Sequence, residues 1–121
     1  MKKILIVDDA ADIVTSLVDL LEESGYQTFS ALKAPPALKL VKDLIPDLIL
    51  CDVFMPEMNG YEFIEALKAD PATAGIPVII LSAGADKANV EKGRNAGVFD
   101  FVIKPYNSLD LLVLINKALG D

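Results

Sequence analysis

The chain has 121 residues, 53% of them hydrophobic, which suits one globular domain with a core between two helical layers and leaves no room for a second. Its net charge of -7 argues against direct binding to nucleic acid, where clustered Lys and Arg must neutralise phosphates. The run from Met1 to Val7 meets acids too soon for a signal peptide, no apolar stretch is long enough for a membrane span, and Cys51 has no second cysteine to pair with, so a cytoplasmic protein with protein partners is expected.

Apolar runs alternate with amphipathic segments five times, the pattern of an α/β fold whose parallel strands are joined by right-handed helical crossovers. The first predicted strand, roughly Lys3 to Val7, is apolar on both faces, as a central strand covered by helices would be. A helix over about Ala11 to Ser24 sets Ile13, Leu17, Leu20 and Leu21 on one stripe and stops at Gly25. The second strand, about Gln27 to Ala31, is more polar and suits an edge. The next helix begins at Pro35-Pro36, tolerable only in a first turn, carries Ala37, Leu40, Val41 and Leu44, and ends at Pro46.

Strand three, Asp47 to Cys51, leads into a turn-rich loop from Asp52 to Gly60. The helix after it is capped by Asn59, shows Tyr61, Ile64 and Leu67 on its apolar stripe, and closes at Asp70-Pro71. Strand four runs from about Pro77 to Leu81. The fourth helix, near Lys87 to Ala96, has only Ala88 and Val90 as clear anchors and contains Gly93, so it should be weakly held. Strand five covers Phe99 to Ile103, and a last helix runs from about Ser108 to Leu119. In that helix Leu111 to Ile115 are five consecutive apolar residues, which cannot all face the sheet; part of this face is expected to meet a partner or a second copy.

Four of the apolar runs end in groups that phosphoryl transfer needs: Ile4-Val7 in Asp8-Asp9, Leu48-Cys51 in Asp52, Val78-Leu81 in Ser82, and Val102-Ile103 in Lys104. In an open parallel sheet the ligand crevice lies outside the carboxyl ends of the strands, so these residues can converge. Two like charges about 4 Å apart repel by roughly 4 kcal/mol at an effective dielectric near 20, so clustered carboxylates must share protons or bind a cation. Oxygen-only ligands favour a hard ion, and Mg2+ suits such a site. A carboxylate held near it can act as a nucleophile toward phosphorus, with Lys104 neutralising charge and Ser82 donating a hydrogen bond. Taken singly, each group has an ordinary reading: the acid pair as a helix cap, Ser82 and Lys104 as loop residues, Cys51 as core. Their order along the chain makes those readings improbable together.

Asp8-Asp9, the loop Asp52...Met55-Pro56...Gly60, Ser82-Ala83 and Lys104-Pro105 stand in the order and spacing of a known family, and over nearly its whole length the chain resembles the receiver domain of two-component response regulators. The resemblance implies a flavodoxin-like, doubly wound five-stranded parallel sheet in order 2-1-3-4-5 with five helices, and a single receiver domain over 1–121. It implies that Asp52 is the phosphoacceptor, that Asp9 binds Mg2+ directly and Asp8 through water, and that the backbone carbonyl of Phe54 is a further ligand. By the same carry-over Ser82 and Lys104 bind phosphoryl oxygens, Phe101 is the switch aromatic, and the Lys104-Pro105 bond is cis. The implied donor is a histidine kinase or histidine phosphotransfer protein; this chain has no histidine and needs that partner. The implied output is a downstream protein target or a homodimer, through the face of helix 4, strand 5 and helix 5.

Two features depart from common variants of the family. Ser82 stands where threonine is frequent, and Phe54 puts a large apolar side chain at the mouth of the pocket, where it is expected to hinder water and lengthen the phosphorylated lifetime. Two other functions stay open at this level. One is an Mg2+-dependent phosphatase with an aspartyl nucleophile, although Phe54 occupies the position where many such enzymes carry a second acid. The other is a phosphorylation-independent interaction module on the same fold, although the acids and the lysine are all retained.

Overall fold

The computed structural model describes residues 1–83 and 90–120 in full and residues 87–89 by their backbone. Strands β1 (Lys3–Val7), β2 (Gln27–Ala31), β3 (Leu48–Cys51), β4 (Val78–Ser82) and β5 (Asp100–Ile103) alternate with helices α1 (Ala11–Glu23), α2 (Ala34–Leu44), α3 (Gly60–Ala69), α4 (Lys87–Asn95) and α5 (Ser108–Ala118). All neighbouring strands are parallel, in the order β2-β1-β3-β4-β5. The parallel strands and crossovers follow the alternation of elements, and the order is the flavodoxin-like, doubly wound one that the family resemblance implies.

Successive strand residues feed opposite cores. Leu5, Val7, Ile49, Cys51, Val78 and Ile80 pack with α2 and α3, whereas Ile4, Ile6, Leu48, Leu50, Ile79 and Leu81 pack with α1 and α5. Both faces of the central strands are covered, which explains their unbroken apolar runs. The half-exposed pattern of β2 follows from its place at an edge. Cys51 is fully buried, a core residue as read from the sequence.

The helical stripes are rotated slightly from expectation. Val14, Leu17 and Leu21 are the buried residues of α1, with Ile13 and Leu20 flanking them half-buried. In α5, Leu111 and Ile115 are buried and Leu112 and Leu114 half-buried, while Val113 is 56% exposed, so the five consecutive apolar residues do point around the helix. Strand ends shift where side chains or the ladder intervene. The Asp47 carboxylate accepts the Lys3 N–H at 2.7 Å and Asp47 donates its own to Lys3 O at 2.8 Å, so β1–β3 bonding begins before β3 proper. Likewise β4 runs on to Ser82, whose carbonyl accepts the Lys104 N–H at 2.8 Å.

The glycine of α4 is not the simple weak point that propensity suggests. Gly93 is buried, and a Cβ placed there would lie 3.2 Å from the Phe101 ring and 3.3 Å from Ile80 Cδ1, so it marks a close approach of helix to sheet. Val90 is half-buried, and the proposed anchor at Ala88 lies outside the described side chains.

α2 stops before Pro46 by a different device from the proline itself. Its C-cap, Ile45, is left-handed at φ 44, ψ 69, and its N–H donates to Val41 O. A β-branched residue there is strained by roughly 1–2 kcal/mol, and Ile45 is half-exposed, so little packing offsets the strain. Ile45→Gly is expected to stabilise the fold by about 0.5–1 kcal/mol after the added unfolded-state entropy of glycine. Urea denaturation should show a higher midpoint with an unchanged m-value.

Candidate functional site at the carboxyl edge of the sheet

The strand register brings the sequence-predicted residues together. Val7 pairs with Cys51, so the residues that follow, Asp8 and Asp52, emerge side by side, and the Asp52 N–H donates to Val7 O at 2.9 Å. Ser82 pairs with Ile103, which sets Lys104 just beyond it. One oxygen from each of Asp8, Asp9 and Asp52 lies within 4.8 Å of the others. Asp8 is only 2% exposed and Asp52 9%, while Asp9 is open to solvent, and Ser82 is fully buried. The Lys104-Pro105 peptide bond is cis, as expected.

Lys104 holds this cluster together. Its Nζ lies 2.9 Å from Asp8 Oδ2, where it donates a hydrogen bond, and 4.0 Å from Asp52 Oδ1. The other Asp8 oxygen accepts the Ala10 N–H at 3.0 Å, turning the chain toward α1. Asp8 is therefore not a cap of that helix: the N-cap is Ala10, which has no side-chain cap. Asp52 Oδ1 accepts the Val53 N–H at 2.8 Å.

The electrostatics follow from burial and from these partners. Burial pushes the Asp52 carboxyl above its usual range, the neighbouring Asp8 charge adds to this, and Lys104 with the Val53 N–H pulls the other way. For Lys104, burial opposes the charged form, but the hydrogen bond to Asp8 and the charge of Asp52 outweigh it, and the amine is raised. Burial, then the charges of Asp52 and Asp8, drives the Cys51 thiol far up, so it stays a protonated core group.

The β3–α3 loop is fixed by backbone crowding. A Cβ on Gly60 would sit 2.4 Å from the Asp52 carbonyl oxygen, a contact that only glycine avoids, and the Gly60 N–H closes the loop on Val53 O at 2.9 Å. Asn59 then starts α3 with a full capping box: its side chain accepts the Glu62 N–H, and the Glu62 carboxylate accepts the Asn59 N–H. Val53 and Met55 point inward, while Phe54 is 56% exposed.

Two features of the site escaped the sequence reading. Glu57 holds a left-handed φ of 71 in the loop and pairs with Lys33 at 3.4 Å across to the β2–α2 turn; positive φ at a non-glycine leaves no mark in composition. Tyr106, two residues beyond Lys104, lines a cavity of about 430 Å3 with Ile13, Ala83, Lys104 and Pro105. Its hydroxyl is raised by burial, with Lys104 opposing and Asp8 adding. Its nearness to Lys104 in sequence was the available signal.

An all-oxygen set of three carboxylates, two of them buried and only partly neutralised by one amine, fits a hard divalent cation such as Mg2+. The response regulator receiver domain profile matches residues 4–116. The chain is 36% identical to the phosphate regulon transcriptional regulatory protein PhoB of Pseudomonas aeruginosa over 98% of its own length, and spans about half (52%) of that protein. It is 34% identical to protein PilH of the same organism, covering 99% of both chains. The solved structure of Vibrio cholerae chemotaxis protein CheY4 superposes with a TM-score of 0.93 at 28% identity, covering 98% of this chain and 99% of that one.

A carboxyl raised on folding contributes stability that is full below its unfolded pKa and is lost as pH rises through its folded one. Ionised Asp52 is therefore a net cost to the fold at neutral pH. Without divalent ions, Asp52→Asn should melt a few degrees higher than the wild type at pH 7, and the gap should close as pH falls toward about 4. Thermal melts followed by circular dichroism across that range check this.

Proposed function

The chain belongs to the response regulator receiver domain family, and we propose that it works as a phosphoacceptor switch in which Asp52 takes a phosphoryl group from a partner. The single observation that carries this reading is the meeting of Asp8, Asp9 and Asp52 with the Lys104 ammonium at one sheet edge. The donor is a phosphohistidine on a histidine kinase or histidine phosphotransfer protein. An ionised Asp52 oxygen attacks phosphorus, the P–N bond breaks, and the imidazole leaves as an acyl phosphate forms.

Asp9 and Asp52, the Phe54 carbonyl, and Asp8 through water would hold Mg2+. When bound, the ion offsets the negative charge that nucleophile and phosphoryl group bring together. Lys104 shifts its ammonium from the acids toward the phosphoryl oxygens, and Ser82 donates its hydroxyl to one of them. The phosphoryl group adds about 1.5 to 2 negative charges, which draws these groups inward and biases the packing of Phe101 and α4. The output is a downstream protein target or a homodimer on the face of α4, β5 and α5, where Phe99, Ile103, Leu109 and Val113 are exposed apolar residues. Residues 1–121 act as one receiver domain in the cytoplasm; no helix among the described residues is long and apolar enough to cross a membrane.

Incubation with Mg2+ and a small acyl-phosphate donor should add one phosphoryl group per chain, mapped by mass spectrometry to Asp52 and absent from Asp52→Asn. Turnover of the donor faster than the acyl phosphate on Asp52 decays would instead indicate a phosphatase, and absence of label a phosphorylation-independent module. Mg2+ alone should raise the melting temperature of the wild type, and Asp9→Asn should abolish that rise. The exposed Phe54 ring shields the acyl phosphate from water, so Phe54→Asn should dephosphorylate severalfold faster; an unchanged decay rate would remove Phe54 from this role.

A further inference from the structure

Gly93 is buried in α4 although Glu91, Lys92, Arg94 and Asn95 around it are exposed. The two contacts that a Cβ would make there, 3.2 Å to Phe101 Cδ2 and 3.3 Å to Ile80 Cδ1, are both tighter than ordinary packing. The missing side chain therefore sets how closely α4 lies on the sheet, and the atom it lies on first is the Phe101 ring. Phe101 and Ile80 are ladder partners across β4 and β5, so the ring is seated between a strand and the helix backbone. The ring also borders a cavity of about 220 Å3 that α4 and β5 line together, through Val90 and Arg94 on the helix and Phe99, Phe101 and Ile103 on and beside the strand. Three residues further along the same chain stands Lys104, whose N–H is tied to Ser82 O.

We propose that Gly93 is a positioning residue of the switch: with no side chain it lets α4 close on the Phe101 ring, so that ring position and helix packing change together and are coupled through β5 to Asp52. The proposal rests on Asp52 being the phosphoacceptor. Coupling between two sites is reciprocal, so a change of fit beneath α4 must appear as a change in phosphoryl acceptance. A Cβ at position 93 crowds the ring and Ile80 and lifts α4 from them.

Gly93→Ala separates this from a merely structural role, because the two make opposite predictions. Helix propensity alone would slow amide hydrogen exchange in α4 by roughly fivefold. The proposal expects exchange about threefold or more faster, since crowding outweighs propensity. It also expects the rate of Asp52 labelling by a small acyl-phosphate donor to change by about fivefold or more. Gly93→Ser, which carries the same Cβ, should reproduce both effects. In a Phe101→Leu background, where the ring edge is gone, Gly93→Ala should slow α4 exchange and leave the labelling rate where Phe101→Leu alone sets it. Wild-type labelling rates in both position-93 variants, or identical effects with and without the ring, would overturn the role of Gly93 while leaving Asp52 as phosphoacceptor. Absence of label on the wild type itself would overturn that reading, and this proposal with it.

Discussion

The Lys104 ammonium, 2.9 Å from Asp8 and 4.0 Å from Asp52, is the interaction on which the site depends. Two carboxylates buried beside each other, with a third at hand, are unstable company: burial, and then the neighbouring Asp8 charge, both disfavour the charged form of Asp52. The amine makes the cluster tolerable without neutralising it. A site with surplus negative charge and oxygen ligands suits a cation, and in the proposed function the lysine already inside it turns from carboxylate to phosphoryl oxygen without a large move. In that reading the electrostatic tension that costs stability also prepares the chemistry.

Rigidity is distributed unevenly around this centre. The β3–α3 loop that carries Asp52 is pinned by Gly60 against the Asp52 carbonyl, by the Gly60–Val53 hydrogen bond and by the capping box of Asn59 and Glu62. Across the sheet, α4 has Gly93 as its buried position among the described side chains, lying on a half-buried ring beside a cavity. In the proposed function a nucleophile must be held to be aligned, whereas an output surface must be able to change. The fold meets both demands by placing Asp52 just after β3, in the central part of the sheet, and resting α4 on β4 and β5 toward its edge.

Most of the architecture was legible along the chain because its signals are local. Unbroken apolar runs such as Leu48–Cys51 mark strands covered on both faces, Gly25 and Pro35-Pro36 mark helix ends, and the polar residue at the end of each run marks the sheet edge where ligands collect. What local patterns misjudged were contacts made at a distance. Gly93 reads as a helix breaker until the Phe101 ring is seen beneath it. Helix periodicity put Ile13 and Leu20 on the buried stripe of α1, but the way that helix packs on the sheet buries Val14 instead and leaves those two half-buried at its flanks.

By itself the sequence determined the fold class, the order of elements and the identity of the residues at the strand ends, because hydrophobic periodicity and turn chemistry act between neighbours in the chain. Only the tertiary structure decided which oxygens Lys104 touches, why glycine is required at position 60, that Ile45 and Glu57 take left-handed backbone, and that α4 rests on Phe101. Those facts depend on distances between segments tens of residues apart. Such distances are set by strand register and core packing, which no local pattern encodes.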